Sequence, residues 1–126
     1  MLKNANIKAY RFSLSWTRLF PDAETFNPAG VTYYINLLDA LDNAGITPMV
    51  TIYHWDTPQV LQDRFGGWIS EEIVPYFLKF SEKAFDLFAR RVKYWFTINE
   101  PLTVCQNGYD IGGHAPGRRN EGYRRR

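Results

Sequence analysis

Glu100 stands directly before a proline in "FTINEPLT", beside Asn99 and just after the apolar run "VKYWFTI". A carboxyl at such a place can give a proton to a leaving group and take one from water, and burial at a strand mouth favours the protonated form an acid needs. Asn99 can donate to a hydroxyl and accept from one, which suits a sugar and strengthens as positive charge develops at an anomeric carbon. His54, Trp55 and Asp56 close a second apolar run, "TPMVTIY". There an imidazole can donate to a hydroxyl, and an indole face can stack on the apolar side of a pyranose. Arg11 lies inside a third run, "KAYRFSLSW", where a guanidinium needs an anion, so it is expected to face a carboxylate.

The spacing of these runs says what must hold them. A strand is expected over 8–16, closing on Ser15 and Trp16, followed by a loop rich in turn formers. Asn27 then reads as an N-cap with Pro28 at the first helical position, and Val31, Tyr34, Ile35, Leu38 and Leu41 recur at helical steps up to Gly45. The second strand covers 47–55 and the loop "DTPQVLQDRFGGW" follows. Ser70 caps another helix, with Glu71 and Glu72 in its first turn and Ile73, Phe77, Phe80, Ala84 and Leu87 on one side. The third strand covers 94–99, and Pro101 is expected to keep Glu100 extended, so that the strand finishes there. Strand, helix, strand, helix, strand predicts parallel pairing, and in parallel α/β architecture functional groups collect at the carboxyl ends of strands. All three runs end in polar chemistry, which points to one shared site. One geometric objection stands: neighbours on a strand point to opposite faces, so Asn99 and Glu100 can share a site only if the strand twists or bulges.

Composition removes several alternatives. The 126 residues fit one domain of ordinary globular make-up, 45% hydrophobic and 22% charged. No window is long and apolar enough to predict a membrane span, and "MLKNANIKAY" has no apolar signal core. The net charge is +2, with +4 in the tail 118–126 (five Arg, one Glu) and −2 over the rest; one cluster without aromatic interleaving gives no reason to expect nucleic acid. His54 and His114 lie far apart in sequence without a cysteine at ligand spacing, so no metal is expected. Cys105 is the single cysteine, reads as a small hydrophobe, and leaves the compartment open.

"YRFSLSWTR", "YHWDTPQVL", "GGW", "TINEP" and "GHAPG" resemble, in the same order, the successive signatures of glycoside hydrolase family 1, the β-glucosidase and myrosinase family. The resemblance runs from about Ala9 to Gly117. It implies an α/β fold, part of a (β/α)8 TIM barrel holding roughly strands two to four with their helices over residues 1–117; the tail 118–126 leaves the family's pattern and is expected to be a basic, disordered end. It implies hydrolysis of β-glucosides or related glycosides with retention of configuration, without metal or cofactor. Glu100 would be the acid/base, Asn99 the ligand of the sugar 2-hydroxyl, His54 and Trp55 part of the glycone pocket, and Arg11 the neighbour that orients the nucleophile.

The family's nucleophile motif, "TENG", has no match here, while retaining chemistry needs two carboxyls about 5–5.5 Å apart. Asp56 and Asp110 are the nearest other candidates, and the resemblance gives neither that role. The chain by itself is therefore expected to be inactive. A closed barrel takes about 250 residues, so an exposed inner face, two bare strand edges and self-association are expected as well. The alternative is a non-catalytic truncated product that binds sugar, or a full-length relative, through His54, Trp55 and Asn99. Glycone, aglycone and localisation are not specified.

Overall fold

A computed structural model describes residues 6–119; the remainder of the basic tail, and the disorder expected there, lie outside the described residues. In chain order the elements are β1 (Ala9–Ser13), α1 (Trp16–Leu19), α2 (Pro28–Asn43), β2 (Thr47–Tyr53), α3 (Gln59–Phe65), α4 (Val74–Phe88), β3 (Tyr94–Ile98) and α5 (Pro101–Thr103). The three strands are parallel in the order β1-β2-β3, with Ala9 opposite Thr47 and Tyr53 opposite Ile98. No helix among the described residues is long and apolar enough to cross a membrane.

The caps of α2 form as expected, whereas α4 starts at Val74 with no side-chain cap of its own. Asn27 accepts from the Ala29 N–H at 3.2 Å, with Pro28 in the first turn of α2. At the other end Gly45 takes φ +66°, its N–H reaches Asp42 O and the Ile46 N–H reaches Leu41 O, satisfying carbonyls that the helix leaves orphaned. Ser70 accepts from the Glu72 N–H, opening a short 3₁₀ turn, Glu71–Ile73, that leads into α4. Arg91, beyond that helix, bridges Asp39 and Asp42 of α2 at 2.8 and 2.5 Å and ties the two crossover helices together.

Two expectations fail, each for a local reason. The first strand stops at Ser13 rather than running to Trp16, because Ser15 caps α1 by accepting from the Arg18 N–H. Trp16 is consequently no strand-end group; it is fully buried in the core. The segment read as a loop after Asp56 contains α3, seven residues with no side-chain cap, bounded by Pro58 and by Gly66 at φ +81°. Those punctuation residues mark helix ends here and not a turn.

The core lies on the helix side of the sheet. Trp16 packs against Phe80 (ring centroids 5.3 Å apart), Phe77 (5.6 Å), Tyr53 (6.2 Å) and Trp68 (6.3 Å), with Leu14, Val50, Ile52, Ala84 and Phe88 buried around them. β2 is buried along most of its length, whereas the flanking strands are only half covered. The run "VKYWFTI" promised a strand buried on both faces; instead Tyr94 and Phe96 of β3 are 45% and 41% exposed. They lie on a sheet whose third strand has no further neighbour among the described residues.

Candidate active site

The last ladder bond between β2 and β3 is Asn99 N–H to Tyr53 O, 2.9 Å, one step past the end of β3. The next residue turns sharply: Glu100 has φ +46° and ψ +63°. The extended conformation expected for a residue before proline is thus not the one adopted. Pro101 starts α5, which runs straight into a π-helical turn, Val104–Asp110, and the Glu100 carbonyl accepts from the Val104 N–H at 3.1 Å. A left-handed glutamate costs on the order of 1–3 kcal/mol and persists only where its surroundings hold it. Its effect is to end the strand alternation at Asn99, so the rule that would place Asn99 and Glu100 on opposite faces no longer applies.

Asn99 is clamped from three sides. Its Oδ1 accepts from Arg11 Nη2 at 2.8 Å, its backbone carbonyl accepts from Trp55 Nε1 at 2.8 Å, and its N–H is the ladder bond just described. The side-chain amide N–H groups make no hydrogen bond to another described residue. Arg11 also donates from Nε to Thr51 Oγ1 at 2.8 Å and lies over the Phe96 ring, 4.5 Å from its centroid. The expected carboxylate partner is absent among the described residues; an amide oxygen, a hydroxyl and an aromatic face take its place. Arg11 tolerates this because it is exposed to water on the open side of the sheet.

Trp55 is the hub of the remaining groups. Its ring lies 5.6 Å from His54 and 5.1 Å from His114, and its backbone, like that of Glu100, is left-handed, with φ +77°. His54 is exposed and borders an open groove with Arg11, Ser13 and Thr51. His114 and Thr51 were not singled out by residue type, although "GHAPG" marked the segment that delivers His114. Glu100 itself is exposed, and no ion pair or hydrogen bond links its carboxylate to another described residue. Cys105, read as a small hydrophobe, is exposed too.

Asp56 has structural work. Its Oδ2 accepts from the Trp16 N–H at 2.9 Å, fastening the start of α1 to the end of β2, while Oδ1 is buried without a partner. Burial pushes its carboxyl above the ordinary 3.8, against the pull of Ser15 and the Trp16 N–H. A carboxyl raised in the folded state contributes stability below its unfolded value, and that contribution is lost as pH rises through the folded value. Asp56→Asn keeps an acceptor for Trp16 and removes the charge. The variant is expected to gain on the parent as pH rises from about 3.8, read as diverging urea midpoints between acid and neutral solution; parallel midpoints would refute it. Asp110, on the π-helical turn, also carries a buried oxygen without a partner.

Residues 1–125 match the model of glycosyl hydrolase family 1. β-Glucosidase 40 of Arabidopsis thaliana is 49% identical over 119 residues, 94% of this chain and 23% of that protein. Lactase/phlorizin hydrolase of Rattus norvegicus is 49% identical over 118 residues, 92% of this chain and 6% of that one. The family 1 β-glucosidase of Thermotoga maritima superposes with a TM-score of 0.91 at 45% identity, across 94% of this chain and 27% of that structure. The chain thus spans about a quarter or less of the relatives it matches.

Proposed function

The chain belongs to glycosyl hydrolase family 1, its three strands and helices being part of a (β/α)8 barrel, and from that premise we propose that it forms one wall of a retaining β-glycosidase site. The observation that carries this is the pair Asn99–Glu100 at the carboxyl end of β3, with Asn99 held by Arg11 and Trp55 and the strand alternation broken at Glu100. Glu100 is the acid/base that protonates the departing aglycone oxygen and then deprotonates water. Asn99 binds the 2-hydroxyl with its free amide, and His54 and Trp55 border the glycone. Arg11, anchored on Thr51 and Asn99, is placed to orient a nucleophile supplied by another part of the barrel. The substrate is a β-glucoside or a related glycoside. The test is to graft residues 9–117 in place of the matching segment of the Thermotoga maritima relative and to ask whether the hybrid hydrolyses aryl β-glucosides.

The 126-residue polypeptide on its own is expected to be silent. Retention needs a second carboxyl about 5–5.5 Å from the first, and Asp56 is spent on the Trp16 N–H. An aryl β-glucoside incubated with the folded chain should release no phenol above a Glu100→Gln control. Release that the control abolishes would mean another carboxylate completes the site.

Exposed Tyr94 and Phe96, and the outer edges of β1 and β3, which pair with no other strand among the described residues, also favour self-association. Sedimentation velocity is expected to show the weight-average mass climbing with concentration; a concentration-independent monomer would overturn this.

A further inference from the structure

Two left-handed residues face each other across the strand ends. The register that pairs Tyr53 with Ile98 puts Trp55 and Glu100 at equivalent steps beyond β2 and β3, and they have φ +77° and +46°. For a bulky residue that is a genuine outlier, so something must hold both. The one hydrogen bond that spans them runs from the Trp55 indole to the Asn99 carbonyl, the oxygen of the peptide group whose N–H belongs to Glu100. Fixing that carbonyl fixes the plane about which φ of Glu100 is measured. The Trp55 ring is itself fixed, packed on the hydrophobic core and against His114.

We propose that Trp55 is a positioning residue, whose indole N–H sets the left-handed turn at Glu100 by holding the Asn99 carbonyl. This rests on Glu100 being the acid/base for its meaning in catalysis, but not for its geometry. A stacking wall for sugar would need only the indole face; a positioning residue needs the N–H. Trp55→Phe separates them, because it keeps an aromatic ring on the core and deletes the donor.

The experiment is NMR on the isotopically labelled 126-residue chain. In the parent, the Trp55 indole proton should exchange with solvent slowly, and the N–H to Hα coupling and the Cα and Cβ shifts of Glu100 should carry the left-handed signature. In Trp55→Phe that signature should be lost while the ladder amides of β2 and β3 stay protected. Trp55→Phe with Glu100 still left-handed, or a parent indole proton that exchanges as fast as a free one, would overturn the proposal. If Trp55→Phe does not fold, the double variant with Glu100→Gly decides: glycine takes the left-handed turn unaided, so recovery of folding supports the role and failure to recover refutes it. Because the readout is conformation, a Glu100 that proves not to be the acid/base leaves this result standing, and the converse holds as well.

Discussion

Glu100→Gln in the grafted barrel should lower kcat/KM about 10²–10⁴-fold, the usual worth of a positioned proton donor, for glucosides with poor leaving groups. The same substitution should barely change kcat/KM for a dinitrophenyl glucoside, whose leaving group departs without a proton. The reason is that kcat/KM reports the step up to cleavage of the aglycone, where Glu100 acts as acid, while hydrolysis of the glycosyl-enzyme needs it as base. With the activated substrate kcat should therefore fall and KM fall with it, as the covalent intermediate accumulates. The leaving-group dependence separates the acid/base role from mere damage. A Glu100 that only shaped the pocket would lose kcat/KM equally on both substrates, and that result would remove it from the catalytic assignment. Glutamine preserves size and most hydrogen bonding, and the exposed Glu100 carboxylate makes no hydrogen bond or ion pair to another described residue, so the substitution is expected to leave the fold intact.

The sequence made the frame legible because its signals are local. Asn27, Gly45 and Ser70 act through bonds within a turn of themselves, and the helical spacing of Val31, Tyr34, Leu38 and Leu41 is the buried stripe of α2. What it missed depends on local caps and on neighbours distant in the chain. Ser15 ends β1 early, and Trp16 then buries among Tyr53, Phe77 and Phe80, which come from elements far along the sequence. Ile35, counted on the apolar stripe, is 42% exposed because only one flank of α2 meets the sheet. For the site, Glu100, Asn99, His54, Trp55 and Arg11 could be named from their types, but not their partners. That Arg11 meets an amide oxygen and Thr51 rather than a carboxylate, and that proline fails to keep Glu100 extended, are decided across strands. The objection from strand alternation was sound; a left-handed residue, invisible in an Asn-Glu-Pro sequence, removes it.

Trp16→Ala should cost about 3–5 kcal/mol, the range for deleting a large buried aromatic, and lower the urea midpoint steeply. Trp16 has no exposed surface and joins elements from three parts of the chain: Tyr53 at the end of β2, Trp68 in the 3₁₀ turn Gly67–Ile69, and Phe77 and Phe80 on α4. A domain of this size holds only about 5–15 kcal/mol in all, and one sheet face here is open to water. Trp16→Phe provides the contrast. Trp16 Nε1 is buried without a hydrogen-bond partner, so exchanging indole for phenyl removes an unsatisfied donor worth about 1–3 kcal/mol while leaving a smaller ring among the same neighbours. The two terms oppose, and the phenylalanine variant should stay within about 1 kcal/mol of the parent on the scale of such repacking. Urea titrations followed by far-ultraviolet circular dichroism read both, and a loss below about 1 kcal/mol in Trp16→Ala would show that the cluster collapses around the gap. The same experiment bears on the site. The Trp16 N–H holds Asp56, and Asp56 follows His54 and Trp55 out of β2, so the aromatic core that stabilises the helix layer also carries the strand end from which Trp55 reaches Asn99.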